Sequence, residues 1–339
     1  MSRLAPEGAA LSSVAESEFA LASRRRRRLT RQRLGHAAAP YALLAPAAVA
    51  IGVILGYPMY LLVRMSFEKY GLFELIRHQG KWVGTANYAQ IFHDSEFWRV
   101  LLRTALFTVV NVTLTMVLGT GIALLLLQVS RWLRIALTTG LVLVWSIPVI
   151  VAVDIWRWMV DYEFGVANWS LQHLHVGNFV RHDWFANPWT GFGVITALIV
   201  WGAIPFITIT IYAALAQVPQ ELLEAAAIDG ARPWRIFREV TMPLLMPIFV
   251  ILTSLSIIWD FQVFQQLWIF LDGRPSPDYY TMAIYAFQKS FVIGEYGLGA
   301  AIAVVMVMNG IAPQTISAVI TPKPVHGFAN QSCRTKFPT

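Results

Sequence analysis

The residues that could do chemistry in this sequence are polar side chains inside otherwise apolar stretches. Asp260 lies in one such stretch, and three glutamines follow it: Gln262, Gln265 and Gln266. A charged side chain at the centre of a bilayer costs roughly 2.5 to 3.5 kcal/mol on insertion scales, so it is expected to line a pathway or to face another helix. Helical spacing spreads these side chains around the helix. The pattern therefore allows solute contact and interhelical hydrogen bonding about equally.

Enzyme motifs do not survive inspection. The sequence has no phosphate-binding Walker loop, no Gly-rich dinucleotide fingerprint and no His-Glu-x-x-His pair. His173, His175 and His182 lie in one segment, but no cysteine or carboxylate stands at a recognised metal-ligand spacing, which favours a solvated loop. We expect no catalytic residues, no metal, no bound cofactor and no hydrolysis of ATP by a P-loop in this chain.

A second acidic residue of an apolar run is Asp154. Arg157 follows three residues later, close enough to pair with it on one helix face. We expect a structural pair near a membrane boundary. A proton relay would need further buried acids around Asp154.

Composition places these residues in a membrane. Of the 339 residues, 57% are hydrophobic and only 13% are charged, whereas soluble domains average about 25% charged residues. The net charge of +7 does not indicate nucleic-acid binding, because Arg24 to Arg28, Arg31 and Arg33 supply seven positive charges beside the first apolar run. They are typical of topology signals. The single cysteine, Cys333, excludes an intrachain disulfide.

The hydrophobic runs predict an all-α polytopic membrane protein with about six transmembrane helices. The runs cover about residues 41–63, 104–127, 135–156, 193–215 and 244–270, and a sixth begins near Gly297. The first run has about 23 residues, which is long for a signal peptide and sufficient to span roughly 30 Å. Placing the N-terminus in the cytoplasm puts the arginine-rich loops inside, as the positive-inside rule requires.

One cytoplasmic loop has a helix-turn-helix pattern. A short helix is predicted from near Val218, with Pro219 at its first position, and Gly230 can end it in the left-handed conformation. Pro233 opens a second helix, and Pro243 is expected to stop it. Three arginines share one face of this second helix, opposite three apolar residues: Arg232, Arg235 and Arg238 against Trp234, Phe237 and Val240. Such a loop is suited to contact with a soluble partner, although an ordinary amphipathic connector is the alternative.

This loop resembles the cytoplasmic EAA loop of ABC importer permeases. The resemblance rests on Glu224-Ala225-Ala226, Asp229-Gly230-Ala231 and a hydrophobic-x-hydrophobic-Pro ending at Pro243. It implies an ATPase-coupling role for six residues: Glu224, Ala225, Ala226, Asp229, Gly230 and Pro243. Glu224 is expected to pair with a basic residue of the ATPase.

Two further segments are similar to carbohydrate permeases of the maltose type. They are Trp259-Asp260-Phe261-Gln262-Val263-Phe264, and Trp201-x-x-x-Pro205-Phe206 in the span before the loop. By this resemblance five residues contact the solute: Trp201, Gly202, Phe206, Asp260 and Gln262. An aromatic ring can stack on a sugar face, and carboxylate and amide groups can bind its hydroxyls.

The resemblance implies the rest of the assembly. A second permease subunit, a cytoplasmic ATPase dimer that binds ATP and an extracytoplasmic solute-binding protein are expected, together with membrane lipid and no nucleic acid. The function implied is import of a sugar or oligosaccharide across the cytoplasmic membrane by alternating access. The alternatives are an ABC permease for another solute, such as glycerol phosphate or a polyamine, and a stand-alone ion-coupled carrier or membrane enzyme.

The C-terminal end departs from the pattern. The resemblance runs to Met308, and the apolar run 298–308 is about eleven residues, too short to cross a bilayer alone. Residues 309–314 interrupt it. An impaired final span is the hypothesis, and a diverged but working terminus is the alternative. We therefore expect a disordered basic cytoplasmic tail at 1–39, a transmembrane domain at 40–320 with its coupling loop at 217–243, and an atypical tail at 321–339.

Overall fold

The structure, a computed structural model, describes residues 43–77 and 79–320. The predicted tails 1–39 and 321–339, with Cys333, lie outside these residues. The described chain is mostly helical, with one two-stranded antiparallel sheet that pairs Glu68 with Trp82. The predicted all-α membrane fold is confirmed.

The helices and strands follow in chain order. Helix α1 is Leu43–Ser66 and includes a π-helical segment at Gly52–Gly56. The next elements are β1 Glu68–Lys69, α2 Leu72–Arg77, β2 Lys81–Trp82, α3 Ala86–His93, α4 Ser95–Gln128, α5 Arg131–Trp145, α6 Val149–Met159 and α7 Val166–His173. The remainder are α8 Pro188–Leu215, α9 Gln220–Ile228, α10 Pro233–Ile236, α11 Met242–Phe261, α12 Gln265–Phe270, α13 Met282–Phe287 and α14 Tyr296–Ile320. Two more π-helical segments occur, at Phe237–Thr241 and Gln288–Val292.

By contacts, the chain forms two compact units, Met1–Leu62 and Val63–Thr339. The described part of the first unit is residues 43–62 of the apolar helix α1, whose side chains are exposed up to Tyr60. The second unit contains every other element and all three clusters of buried hydrophobic residues.

Four helical stretches of the described chain are long and apolar enough to cross a membrane, namely Leu43–Ser66, Ser95–Gln128, Pro188–Leu215 and Pro233–Phe270. A fifth is possible if α5 and α6 count as one span. These two helices are bent by 99° at Ser146-Ile147-Pro148, whereas the sequence predicts one run over 135–156. Proline restricts the preceding residue and lacks the N–H that a continuous helix needs, which explains the break.

Helices α4 and α8 pack against each other extensively, and Gly119 lies in a tight part of this contact. A Cβ atom at Gly119 would come within 2.7 Å of Ile207 Cγ2. The Thr208 hydroxyl donates to the Gly119 carbonyl across this contact at 3.2 Å. Small residues allow such close packing of membrane helices, where interhelical contact depends on van der Waals fit and hydrogen bonds.

The final helix differs from the sequence prediction. Helix α14 continues through Asn309 and Pro313 to Ile320, a total of 25 residues, or about 37 Å at 1.5 Å per residue. Asn309 does not end it, because its amide nitrogen donates to the Val305 carbonyl at 2.9 Å within the same helix. The helix therefore continues beyond Met308, although only Tyr296–Gly310 is counted as a shorter apolar helix among the described residues, and its crossing of the membrane stays a prediction.

Candidate functional site

A cavity of about 300 Å³ lies in the second unit, where α5, α6, α8, α11 and α12 meet. Four of the five predicted solute-contact residues line it: Trp201, Gly202, Phe206 and Asp260. The structure thus brings together residues that are almost 60 positions apart in sequence. Gly202 helps to keep the space open, because a Cβ added there meets nothing within 4 Å.

Aromatic rings form much of the wall. Phe206 stacks on Trp145, with ring centroids 6.0 Å apart and an interplanar angle of 22°, and tilts against Trp259 at 5.5 Å. Trp201 packs against Trp156 at 6.1 Å. Trp145 and Trp259 are 58% and 50% exposed in the single chain. Broad apolar ring faces of this kind are suited to stacking on the C–H face of a sugar.

Asp260 is the polar centre of this cavity. The residue is only 7% exposed. Within the described chain its carboxyl group has no hydrogen bond or ion pair. Helix α11 ends one residue later, at Phe261. The residue therefore sits at the helix C-terminus, where partial negative charge collects and a carboxylate gains nothing from the helix dipole.

Gln262 does not line the cavity. It follows the end of α11 and is exposed, because the helix breaks between Phe261 and Gln265. Gln266, in the first turn of α12, lines the cavity instead. The glutamine run was a sequence signal for an amide here, but its periodicity could not identify Gln266 because the helix is not continuous.

Trp145, another lining residue, was not predicted. It ends α5 just before the 99° bend, so its approach to Phe206 depends on a tertiary turn. The Pro148 that follows is a local signal for the break, but it does not specify the direction of the turn.

The predicted Asp154–Arg157 pair does not form. Arg157 instead binds Asp272 at 2.7 Å and donates to the Ile269 carbonyl at 3.3 Å, tying α6 to the end of α12. Arg157 pairs with Asp272 and not with Asp154 because the carboxylate after α12 lies closer to it than the one on its own helix. Asp154 is exposed. Among the described residues no group of three or more His, Cys, Asp and Glu side chains is placed to hold a metal ion.

The predicted coupling loop, residues 217–243, forms a helix, a turn and a second helix. Helix α9 starts at Gln220, with Pro219 as its N-cap rather than its first residue. Gly230 has φ +78°, the left-handed conformation that was predicted. The Gly230 N–H donates to the Ala227 carbonyl and the Ala231 N–H to the Ala226 carbonyl, both at 3.0 Å. These two hydrogen bonds satisfy carbonyl groups at the C-terminal end of α9.

The second helix of the loop does not stop at Pro243. Helix α10 passes through the π-helical segment Phe237–Thr241 directly into α11. The Met242 N–H donates to the Phe237 carbonyl five residues back, and Pro243 falls in the first turn of α11, where a missing N–H costs little. The second helix of the loop and the helix that carries Asp260 are therefore one continuous helical element.

The loop presents an exposed surface. Leu222, Ile228 and Trp234 are 45%, 86% and 70% exposed, and Arg235 pairs with Glu239 at 2.9 Å. Five of the six predicted coupling residues are also exposed, namely Glu224, Ala225, Asp229, Gly230 and Pro243, whereas Ala226 is half-buried. In the described chain Glu224 has no hydrogen-bond or ion-pair partner.

A cavity between membrane helices, joined by one helix to an exposed loop, is the arrangement of a membrane transport subunit. Residues 115–323 match the sequence model of the family described as binding-protein-dependent transport system inner membrane component. The chain belongs to this family. It is an inner-membrane ABC transporter permease, a transport subunit and not an enzyme.

Curated relatives agree with this assignment. The chain is 41% identical over 272 residues to the diacetylchitobiose uptake system permease protein DasB of Streptomyces coelicolor, covering 80% of this chain and 83% of the relative. It is 33% identical over 264 residues to the sulfoquinovosyl glycerol transport system permease protein SmoG of Agrobacterium fabrum, covering 78% and 84%.

The fold also matches a solved structure, that of a bacterial ABC transporter involved in the import of the acidic polysaccharide alginate. The TM-score is 0.70 at 20% identity, with 86% of this chain and 100% of the other covered. The sequence predicts that the resemblance ends at Met308. The family match instead continues to residue 323.

Proposed function

We propose that this chain is the permease subunit of an ATP-driven importer that moves a sugar or oligosaccharide across the cytoplasmic membrane by alternating access. The observation that carries the proposal is the continuous helix from Pro233 to Phe261, which joins an exposed loop to the wall of an aromatic cavity. Movement imposed on the loop would be transmitted directly to Asp260.

The cavity supports a sugar as the solute. Rings that can stack, one carboxyl group and one amide line about 300 Å³, at the small end of ligand pockets. This volume suits one sugar ring with its substituents better than a whole oligosaccharide at once. The names of both relatives, diacetylchitobiose and sulfoquinovosyl glycerol, describe glycosides, which supports the same class of solute.

The loop supports docking of a cytoplasmic ATPase dimer. Its exposed apolar side chains offer a contact surface, and the unpaired Glu224 offers a charge for a basic residue of the partner. Gly230 sets the angle between the two helices, and Ala225 and Ala226 allow close approach. ATP binding and hydrolysis by the partner would then move α9, α10 and α11 together.

Two further partners complete the proposed assembly. Trp145 and Trp259 leave the cavity with an exposed aromatic border in the single chain, and a second permease subunit would cover it. An extracytoplasmic solute-binding protein would deliver the sugar, in keeping with the family description. The N-terminus is proposed to be cytoplasmic, from the distribution of arginine.

The experiment is co-purification of the tagged chain from native membranes, for the wild type and for Gly230→Val. A β-branched residue at φ +78° is strongly strained, while the space around Gly230 is open. We therefore expect the variant to insert and to retain the second permease, but to recover roughly tenfold less ATPase subunit and to lose uptake.

Gly140→Val is the matched control. Gly140 lies within α5, also with nothing within 4 Å of an added Cβ, but far from the loop in sequence. We expect this variant to retain the ATPase. If Gly230→Val keeps both the ATPase and uptake, the loop is not the coupling element; if the wild type purifies with no ATPase at all, the importer assignment of partners is wrong.

A further inference from the structure

The carboxyl group of Asp260 is unusual because it is buried in a cavity whose described lining residues include no basic side chain. Asp260 is 7% exposed, and it is the only ionisable side chain among the described residues that line the cavity. Helix α6 contributes Val149 and Ala152 to the cavity wall, but its Arg157 is engaged by Asp272 at 2.7 Å. The described residues therefore provide no ion pair to Asp260.

A buried carboxyl group without a partner is costly, and a ligand that supplies hydrogen-bond donors removes part of that cost. The surrounding groups reinforce this requirement, because the C-terminal end of α11 adds partial negative charge and the aromatic ring faces are also electronegative. All three features favour donors and positive charge and disfavour an anion.

We propose that Asp260 makes the cavity selective for uncharged, donor-rich saccharides and excludes acidic ones. The inference rests on the proposed function and specifies its substrate class. The carboxylate accepts hydrogen bonds from neighbouring sugar hydroxyls, or from one hydroxyl and an acylamino N–H, while a ring face stacks on the aromatic wall. Gln266 can either donate to or accept from the same sugar.

When Asp260 is ionised, an acidic saccharide places a second negative charge in the same small volume. At separations of several ångströms and an effective dielectric constant near 20, like-charge repulsion corresponds to roughly a tenfold to hundredfold loss of affinity or more. Family membership does not fix this preference, because the relatives' names include both diacetylchitobiose and a sulfonated sugar, sulfoquinovosyl glycerol.

The test measures saccharide binding by the intact transporter complex, purified without its solute-binding protein. Trp145, Trp201 and Trp259 line the cavity, so tryptophan fluorescence reports on occupancy. The probes are maltose and N,N′-diacetylchitobiose as neutral sugars and digalacturonate as the acidic one. In the wild type we expect both neutral sugars to bind at least tenfold more tightly than digalacturonate.

Asp260→Asn keeps the shape and removes the charge. We expect it to weaken neutral-sugar binding roughly tenfold and to reduce the discrimination against digalacturonate to about threefold or less. Asp154→Asn makes the same chemical change on α6 at an exposed residue that does not line the cavity, and we expect its ratio to match the wild type.

The outcomes separate the two proposals. If no saccharide of either charge changes the wild-type fluorescence, the sugar-transport proposal fails. If the wild type binds digalacturonate as tightly as the neutral sugars, or Asp260→Asn leaves the ratio unchanged, only the charge selection is overturned. If Asp260→Asn instead releases the second permease, Asp260 pairs with a cation of that subunit and the inference is also overturned.

Discussion

At the scale of single residues, the carboxylate of Asp94 contacts three polar groups outside the cavity. This residue caps α4 by accepting from the Glu96 N–H at 2.8 Å, and it also accepts from the Tyr285 hydroxyl at 2.7 Å. Lys289 lies 3.9 Å from the same carboxylate. Partial burial raises the pKa of Asp94, but the Tyr285 hydroxyl, the Glu96 N–H and the Lys289 charge lower it more, so its net pKa is below the ordinary value.

We predict that Tyr285→Phe destabilises the chain by about 1 to 2 kcal/mol near pH 7, because it removes a hydrogen bond to a charged group. The stabilisation belongs to the ionised carboxylate, so it is fully present above the unfolded-state pKa and is lost as the pH falls through the lowered folded-state pKa. Thermal unfolding in detergent, followed by fluorescence from pH 7 to pH 3, should show the two melting temperatures converging below about pH 4.

Tyr280→Phe is the control for this change. Tyr280 lies beside Tyr285, with ring centroids 6.4 Å apart, but its hydroxyl makes no hydrogen bond within the described chain. We expect a shift within about 0.5 kcal/mol. A Tyr285→Phe deficit that stays constant down to pH 3 would show that the ionised Asp94 is not the stabilising partner.

At the scale of helices, Gly119 and Ile207 fix how closely α4 and α8 approach. We predict that Gly119→Ala destabilises by about 1 to 3 kcal/mol, the range for overpacking a tight interface, because the new methyl group meets Ile207 Cγ2 at 2.7 Å. Gly121→Ala, two residues along the same helix with nothing within 4 Å, should be neutral or slightly stabilising.

A double-mutant cycle with Ile207→Ala tests the mechanism by thermal unfolding. The destabilisation of the double variant should be less than the sum of the two single destabilisations, because Ile207→Ala removes the Cγ2 methyl group that clashes with the methyl group added at residue 119. Strict additivity would mean that the contact between the two helices does not limit residue 119.

The existence of the helices could be predicted from the sequence, but their junctions could not. Long apolar runs identify the spans because hydrophobicity is local, and the left-handed Gly230 was predictable because only the local backbone is involved. Pro243 and Asn309 both predicted a helix end that the structure does not have, for different reasons. A π-helical turn and the first-turn position accommodate the proline, and the Val305 carbonyl satisfies the asparagine.

The same distinction applies to the site. Asp260 stands out because a carboxylate is rare in an apolar run, and Trp201 and Phe206 were found by their resemblance to a family pattern. Trp145 and Gln266 depend on a 99° bend and on a helix break, which are set by contacts between distant parts of the chain. No local spacing rule places them in the cavity.

At the scale of the whole molecule, the length and packing of the final helix, α14, bear on whether it crosses the membrane. Helix α14 has 25 residues, longer than the roughly 20 that a span needs. It is also anchored in the second unit: Ala301 and Ile302 are fully buried, in a cluster with Phe97 and Met282. An impaired final span is thus no longer required by helix length.

The predicted six spans, counted from the proposed cytoplasmic N-terminus, place the C-terminal end in the cytoplasm. The native Cys333 can report on this because it is the only cysteine in the sequence. We predict that a membrane-impermeant maleimide labels Cys333 only after cells are permeabilised. Two reference variants in a Cys333→Ser background define the sides: Asn178→Cys, in the loop after α7, should be labelled in intact cells, and Glu221→Cys, in the coupling loop, only after permeabilisation. Both positions are exposed.

Labelling of Cys333 in intact cells, with the two references behaving as expected, would show that α14 does not cross despite its length. Reversal of both references would instead show that the whole chain is inserted with the opposite orientation, and that the coupling loop cannot meet a cytoplasmic ATPase.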